Sequence, residues 1–355
     1  MKRMLPLCVV VSGSQPRLGV SEVESAVGAP LRLLDERIGL VEVEESALEG
    51  VLAKLYECVL LQEAVLAKAW RANPAEDPGF YAELAASGEW SELSGRSFAV
   101  SVRKLGGYPP ASTVDLAAAV AEGILRRCSA RVNLEEPDVR VRLVVSRGVA
   151  VVGTLLFKRR GDRFRFRSKR YKPFKHPASL TPEDAKVLVN LTACGSLLLD
   201  PFCGSGSVVI EACLSGLEAV GLDVDRRAAR GARDNMIFFS CDARGHVVVG
   251  DACVLPFRDG AFDAIATNPP YGRSAQLRSA SGRSASECLL QEGFRVLKEG
   301  GRVAYISPLS PESGSVAEGY VVRVHGGLAR SFVVKVKGGC AREGSVPGNR
   351  VIDTH

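Results

Sequence analysis

The sequence TNPPYG at residues 267–272 combines side chains that could bind and align an amine. It follows an apolar run, FDAIAT, which predicts a strand. The amide oxygen of Asn268 can accept a hydrogen bond from an amino group, and the Pro269 carbonyl can accept a second one. Pro269 and Pro270 restrict the backbone, so both acceptors would be aligned before the amine arrives. Tyr271 offers a flat ring for stacking. A plain turn that closes a strand would explain the prolines but not the asparagine and the tyrosine.

Three carboxylates follow three successive predicted strands upstream of this turn. Asp200 ends SLLLD, Asp223 ends EAVGLD, and Asp251 follows VVVG. After the first strand, Gly204 and Gly206 would let a ligand approach the backbone closely. Because the carboxyl ends of parallel strands meet at one edge of a sheet, we expect a common crevice there. In this crevice, Asp223 could accept hydrogen bonds from ribose hydroxyls, and Asp251 could accept one from an adenine amino group.

Val209 separates this pattern from a dinucleotide site, in which a third glycine stands near that position. The ligand is therefore predicted to lack a pyrophosphate, and a nicotinamide-dependent oxidoreductase is disfavoured. Any one of the three carboxylates could be a helix cap or a turn residue. Their coincidence at three strand ends favours a binding site.

Regular alternation of strands and helices over 178–338 predicts a doubly wound, mostly parallel, Rossmann-like α/β sheet. The preceding part reads as an α+β region. Its predicted elements are strands at 5–12, 38–44 and 97–104, helices at 48–70 and 112–128, a hairpin over 138–157 that turns at 146–148, and a short helix with Ser21 as N-cap and Gly28 as stop. Residues 339–355 are expected to form a loosely ordered tail.

The net charge of +6 arises from one short stretch. Residues 158–175 contain ten Lys or Arg and one Asp, a net of +9, so the remainder carries 36 basic and 39 acidic residues, a net of −3. Phe164, Phe166 and Tyr171 are interleaved with these charges, which predicts contact with a nucleic acid. A solvated strand edge is the alternative. The candidate RNA-binding residues are Lys158, Arg159, Arg160, Arg163, Arg165, Arg167, Lys169, Arg170, Lys172 and, beyond the stretch, Arg273.

Composition excludes several other classes. The sequence has no run of 18 apolar residues that could span a membrane, and the N-terminal MKRMLPLCVVVSGSQ is better explained as a first strand than as a signal peptide. Ten cysteines without a CxxC pair, together with four histidines, predict no metal site. We expect the thiols to be mainly reduced, although one disulfide is possible. A cytoplasmic location and a monomeric state are also expected.

The motifs DPFCGSG and NPPYG, with Asp223 and Asp251 between them, resemble class I S-adenosylmethionine-dependent methyltransferases that act on amino groups. The resemblance covers Phe174 to about Lys337 and implies S-adenosylmethionine as cofactor. FKHPASLTP is similar to the segment that contacts the methionine end of the cofactor. The implied cofactor-binding residues are Phe174, His176, Pro177, Ser179, Asp200, Pro201, Cys203, Gly204, Gly206, Asp223, Val224, Asp251, Ala252 and Asn268. The implied catalytic residues are Asn268, Pro269, Pro270 and Tyr271.

Four segments in the N-terminal half, SFAVSVRK, VDLAAAVAEGIL, RVNLEEPDVRVRLVV and GVAVVGTLLF, resemble a THUMP domain. That module binds RNA in tRNA-modifying enzymes. The implied organisation is a ferredoxin-like region at 1–72, a THUMP domain at 73–160, a basic linker at 161–177 and a methyltransferase domain at 178–338. The Ser-rich sequence at 273–286 is expected to be a mobile flap or a disordered insertion.

The order of domains resembles the archaeal tRNA (guanine-10-N2) methyltransferase family, which implies the addition of one or two methyl groups to N2 of guanosine in tRNA. Asn268 departs from the Asp that is typical of that family, whereas THUMP-bearing guanine-6 enzymes use Asn. A guanine-6 enzyme therefore remains an alternative. An adenine-N6 methylase, a glutamine-amide methylase and a non-catalytic tRNA-binding protein also remain open, while a carbon-5 pyrimidine methylase is disfavoured because the turn has no cysteine.

Overall fold

The computed structural model of the chain divides into two compact units, Met1–Arg163 and Phe164–His355. The structure describes residues 3–159, 161–193, 195–270, 284–307, 318–323 and 329–338. Tyr271, Arg160 and Arg273 lie outside these residues, as do the predicted tail and most of the predicted flap.

The N-terminal unit is built on one sheet that eight strands form together. The strands are β1 (Met4–Val11), β2 (Arg32–Asp35), β3 (Ile38–Glu44), β4 (Leu61–Ala72), β5 (Ser97–Lys104), β6 (Arg131–Val132), β7 (Val139–Val145) and β8 (Val149–Lys158). The helices are α1 (Pro16–Val27), α2 (Leu48–Glu57), α3 (Pro78–Ala86) and α4 (Thr113–Leu125). The strand order is β2-β3-β1-β4-β8-β7-β5-β6, with β5 parallel to β6 and β7 and the other neighbours antiparallel. Pairing of β4 with β8 carries the sheet across residue 73, where the sequence predicts a domain boundary.

The prediction of a continuous helix over 48–70 is wrong in its second half. Helix α2 ends at Glu57, and residues from Leu61 onward form β4. This strand lies inside the sheet between β1 and β8. Its consecutive residues Ala64 and Val65 are both fully buried, each in a hydrophobic cluster on a different face of the sheet. A strand that is covered on both faces has no polar and apolar alternation, so its sequence resembles a buried helix.

Local signals predict most other elements of this unit correctly. The predicted strands at 5–12, 38–44 and 97–104 and the hairpin that turns at 146–148 are confirmed. Ser112 caps α4 by accepting a hydrogen bond from the Asp115 N–H at 3.0 Å. Gly28 ends α1 in the left-handed conformation, as predicted, but Ser21 lies buried inside that helix, which begins at Pro16.

The C-terminal unit is a doubly wound sheet, as the sequence predicts. Its strands are β9 (Leu197–Asp200), β10 (Glu218–Asp223), β11 (Gly245–Val249), β12 (Phe262–Thr267), β13 (Leu297–Ser307), β14 (Glu318–Arg323) and β15 (Ala329–Val336). Its helices are α5 (Pro182–Leu191), α6 (Ser207–Leu214), α7 (Arg226–Phe238), α8 (Ala285–Cys288) and α9 (Phe294–Val296), with a 3-10 turn at Arg165–Arg167 and a π-helical turn at Leu289–Gly293.

The strand order of this second sheet places the predicted site. The order is β11-β10-β9-β12-β13-β15-β14, in which the first five strands are parallel and β15 is antiparallel to its two neighbours. The chain order reverses between β9 and β12. Ligands of open α/β sheets bind outside the carboxyl ends of the strands at such a reversal.

One pair of cysteines forms a disulfide, a possibility that the sequence left open. Cys253 and Cys288 form a disulfide between the loop after β11 and the end of α8. Among the described residues, the cysteines outside this disulfide are Cys8, Cys58, Cys128, Cys203, Cys213 and Cys241. Over the same residues, no helix is both long and apolar enough to span a bilayer, and no group of three His, Cys, Asp or Glu side chains is arranged to bind a metal.

Candidate active site

Asp200, at the end of β9, connects the first motif to the NPPY turn. Its Oδ1 atom accepts hydrogen bonds from the Thr267 hydroxyl at 2.6 Å and from the Phe202 N–H at 3.2 Å. Burial raises the pKa of Asp200 to about 7; the two hydrogen bonds oppose this shift, and the charge of Asp223 adds to it. Because Thr267 is the last residue of β12, this bond links the cofactor-loop strand to the turn that begins at Asn268.

The glycine-rich turn adopts the conformation that its sequence predicts. Gly204 and Gly206 have φ angles of 51° and 77°, in the left-handed region that favours glycine. The Gly204 N–H donates to Asp223 Oδ2 at 2.8 Å, which joins the first two predicted strand ends. A Cβ atom at Gly204 would have His176 Nδ1 as its nearest neighbour, 3.8 Å away. The turn therefore faces the predicted methionine-binding segment.

The second and third carboxylates lie on adjacent loops. Asp223 Oδ1 accepts a hydrogen bond from the Asp225 N–H at 2.9 Å, and the Asp223 carbonyl accepts one from Gly250 at 3.0 Å. Asp251 Oδ1 accepts one from Cys253 at 2.8 Å. A carboxylate has lone pairs beyond those used in these bonds, so both residues can still accept from ligand hydroxyl and amino groups.

The other predicted cofactor contacts lie next to these carboxylates or under the glycine-rich turn. Pro201, Val224 and Ala252 directly follow Asp200, Asp223 and Asp251. The Val224 side chain is exposed, whereas Ala252 is buried. Cys203 is buried and packs so closely on Gly221 that a Cβ there would lie 2.9 Å from the cysteine Cβ. Burial raises the pKa of the Cys203 thiol well above its usual value, which fits a packing role better than a chemical one.

Asn235, which belongs to none of the sequence motifs, positions the 174–182 segment. This residue of α7 is fully buried; its Oδ1 accepts from the Phe174 N–H at 2.8 Å. Its Nδ2 donates to the Phe174 carbonyl at 3.0 Å and to the Ser205 carbonyl at 2.9 Å. The Phe174 ring packs on Gly231, where a Cβ would overlap it. One asparagine thus connects the methionine-binding segment to the glycine-rich turn.

A sequence signal for Asn235 exists. It follows Ala228 and Ala232 at the seven- and three-residue spacing of one helix face, and all three are buried. A polar side chain on the buried face of a helix needs partners, so its position indicates a structural or functional hydrogen bond. A further hydrogen bond joins the 174–182 segment to the glycine-rich turn, because the hydroxyls of Ser179 and Ser205 lie 2.6 Å apart. Pro177 is exposed between these contacts.

Asn268 presents an unused acceptor at the end of β12. Its side-chain Oδ1 atom is buried and has no hydrogen-bond partner among the described residues. Leaving a buried acceptor unpaired costs about 1–3 kcal/mol, so such an atom calls for a ligand. Pro269 is buried and Pro270 exposed, which is consistent with a rigid turn that faces the crevice on one side.

The basic stretch separates into residues that bond inward and residues that face outward. The Arg159 guanidinium donates to the Leu61 carbonyl at 2.7 Å, and that of Arg163 donates to the Glu57 carbonyl at 2.8 Å. Within the C-terminal unit, Arg167 forms an ion pair with Glu211, and Lys172 is 4% exposed with its ammonium 2.6 Å from the Ser207 hydroxyl. Burial lowers the pKa of Lys172 to about 8, and the Glu211 charge opposes this. The exposed members are Lys158, Arg165, Lys169 and Arg170. The burial of Lys172 argues against its predicted contact with RNA.

Comparison with known proteins identifies both halves of the chain. Residues 82–155 match the THUMP domain family, and residues 169–327 match the family described as RMKL-like, methyltransferase domain. The chain is 32% identical over 246 residues to the tRNA (guanine(10)-N2)-dimethyltransferase of Methanothermobacter thermautotrophicus. The matched region covers 67% of this chain and 72% of that protein. The chain belongs to the tRNA (guanine(10)-N2)-dimethyltransferase family.

A further relative and a solved structure are similar to this chain. The tRNA (guanine(6)-N2)-methyltransferase of Thermus thermophilus is 30% identical over 263 residues, which is 70% of this chain and 73% of that protein. The crystal structure of TrmN from Thermus thermophilus has a TM-score of 0.50 and 26% identity, and it covers 93% of this chain and 99% of that one. The predicted family, fold class and S-adenosylmethionine dependence are thereby confirmed.

The geometry of the crevice fits the cofactor of this family. Asp223 and Asp251 provide acceptors at neighbouring strand ends, and the left-handed glycines leave the backbone open beside His176. The assignment of individual residues to cofactor, substrate and RNA remains a prediction.

Proposed function

We propose that this enzyme methylates the N2 amine of guanosine 10 in tRNA. The observation that carries the proposal is that the buried Oδ1 atom of Asn268, at the strand end next to Asp200, has no hydrogen-bond partner among the described residues. An exocyclic amine is the donor that would satisfy this acceptor. Family membership supports a guanosine of tRNA as the nucleoside that carries this amine.

The chemistry assigned to the turn is control of a lone pair. The lone pair of guanine N2 is conjugated with the ring, which makes the amine a poor nucleophile. The Asn268 amide oxygen and the Pro269 carbonyl would accept the two amine hydrogens and draw the lone pair out of conjugation. S-adenosylmethionine supplies a methyl group on a positively charged sulfur when it is bound. An asparagine is not a base, so the turn would act by alignment and electrostatics.

The tRNA would be bound through shape and phosphate contacts. The THUMP match at 82–155 supports RNA binding by the N-terminal unit, and the outward residues Lys158, Arg165, Lys169 and Arg170 provide positive charge. Affinity should fall steeply as salt rises, because neutralised phosphates release counterions. A monomer remains the predicted state, and light scattering of the purified enzyme would test it.

The deciding experiment is methylation of an unmodified tRNA transcript with labelled S-adenosylmethionine, followed by mass-spectrometric mapping of the modified nucleoside. The expected product is N2-methylated guanosine at position 10, and the mass also counts the methyl groups. Asn268→Ala should abolish transfer while cofactor affinity, measured by calorimetry, stays nearly unchanged. Full activity in Asn268→Ala would remove the proposed role of the turn.

Asn268 itself favours guanosine 6 as a second candidate target. The resemblance associates Asn at this motif position with THUMP-bearing guanine-6 enzymes, and the tRNA (guanine(6)-N2)-methyltransferase of Thermus thermophilus is 30% identical to this chain. Two transcripts separate the candidates: one with guanosine 10 replaced by adenosine and one with guanosine 6 replaced. Loss of methylation in only one of them identifies the target.

A further inference from the structure

Residues 164–172 at the start of the C-terminal unit have one anchored side. Phe164 is buried, and the Arg167 guanidinium lies 4.7 Å from the centre of its ring. Arg167 also donates to both carboxylate oxygens of Glu211, at 2.8 and 3.0 Å. At the other end, the buried Lys172 donates to Ser207. Both acceptors belong to α6, so the segment is fixed to the helix that follows the glycine-rich turn.

The other side of the segment has an exposed phenylalanine and a half-buried tyrosine among arginines. Phe166 is 67% exposed, and its ring centre lies 5.5 Å from that of Tyr171, with the ring planes inclined by 55°. The guanidinium carbons of Arg165 and Arg170 lie 5.9 Å from the ring centres of Phe166 and Tyr171 respectively. A single exposed apolar side chain is common on protein surfaces, but an exposed ring beside a second ring, each with a guanidinium carbon 5.9 Å away, is the combination that binds unpaired bases.

Backbone hydrogen bonds fix the geometry of this exposed side. The N–H of Arg167 donates to Phe164 at 2.9 Å, that of Ser168 to Arg165 at 3.3 Å, and that of Tyr171 to Ser168 at 3.0 Å. The rings are therefore presented by a compact, anchored turn. Little conformational entropy would be lost when a ligand binds to a surface that is already ordered.

We propose that Phe166 and Tyr171 form a stacking platform for an unpaired nucleotide of the RNA substrate, with Arg165 and Arg170 contacting its phosphates. The inference rests on the proposed function, in which RNA is the substrate. The partner follows from charge and shape: the exposed side of the segment carries Arg165, Lys169 and Arg170, and an exposed ring can stack on any base. The nucleotide must be unpaired because the faces of a paired base are already covered by its neighbours.

The test measures binding of an unmodified tRNA transcript to Phe166 variants at several salt concentrations. Phe166→Ala should weaken binding about tenfold to hundredfold, the range expected for one lost base stack. The slope of log affinity against log salt should not change, because the ring carries no charge. Phe166→Trp should restore affinity, and Phe166→Leu should not, because leucine retains apolar area without a π face. Arg165→Gln with Arg170→Gln should instead reduce the slope, by about one to two.

Two controls sharpen the result. Phe238→Ala removes another exposed phenylalanine, which contacts Phe239 edge-on at 5.0 Å on α7, and should leave tRNA affinity unchanged. A fully base-paired RNA duplex should bind Phe166→Ala as tightly as the parent enzyme. Unchanged cofactor affinity in each variant verifies folding.

Three results would overturn the platform: unchanged tRNA affinity in Phe166→Ala, parental affinity in Phe166→Leu, or an equal loss of affinity for the duplex. These binding assays do not depend on methyl transfer. If the platform binds tRNA but no guanosine is methylated, the proposed function fails and the platform stands.

Discussion

The disulfide between Cys253 and Cys288 joins two parts of the candidate site that are distant in sequence. The Cys253 N–H donates to Asp251 Oδ1, and Cys288 ends the helix that follows the NPPY region. The same two parts are also linked by the Leu255 N–H, which donates to Glu292 at 2.9 Å. We expect reduction of this bond to destabilise the C-terminal unit selectively.

The size of the effect follows from the length of chain that the bond closes. The two cysteines are 35 residues apart. In the chain-entropy description, a loop of this length restricts the unfolded state by an amount equivalent to about 4 kcal/mol. Reduction, or the double substitution Cys253→Ala with Cys288→Ala, should lower the free energy of unfolding by about that much.

The assay must separate the two units, and the sequence offers a natural way to do so. Both tryptophans, Trp70 and Trp90, lie in the N-terminal unit, so their fluorescence in urea reports on that unit alone. Hydrogen exchange of peptides from β9 to β13 reports on the C-terminal unit. Reductant should shift the second signal and leave the first unchanged, and the double-alanine variant should not respond to reductant.

A reductant effect on the C-terminal unit below about 1 kcal/mol would refute the reasoning. So would alkylation of both cysteines in unfolded, unreduced protein, because it would mean that the thiols are free.

The remaining predictions concern the polar link beneath the turn. Burial raises the pKa of Asp200 to about 7, and the ionised form is the one that attracts the positive groups of the cofactor. Cofactor affinity in calorimetry should therefore rise roughly eightfold from about pH 6 to about pH 7.5, and Asp200→Asn should flatten that rise. Without cofactor, the free energy of unfolding should change with pH in the opposite direction. Because the pKa of Asp200 is raised in the folded state, its contribution to stability is fully present below the ordinary pKa of Asp and is lost as pH rises through about 7. Thr267→Val removes a donor to the ionised carboxylate, so the rise in affinity should move to higher pH, and Thr267→Ser should keep it in place. An unchanged pH dependence in Thr267→Val would contradict the positioning role of Thr267.

Short-range patterns predict much of the candidate site because they act within a few residues. The left-handed conformations of Gly204 and Gly206 follow from local backbone chemistry. The convergence of Asp200 with Asn268 follows from strand order, since parallel strands end at one edge of the sheet.

Long-range packing decided what those patterns left open. The hydroxyl of Thr267 reaches Asp200 across 67 residues of chain, and Asn235 reaches Phe174 across 61. The interior position of β4 gave it a sequence that resembles a helix, because burial on both faces removes the alternation that identifies a strand.

The basic stretch illustrates the division most directly. The sequence alone determines that 158–175 carries a net charge of +9 with four aromatic residues among the cations. Only the tertiary structure decides that Arg167 and Lys172 bond to α6 while Arg165, Phe166 and Arg170 are exposed. Charge is a property of the residue, whereas the partner that accepts its hydrogen bonds is supplied by a helix 35 to 44 residues away along the chain.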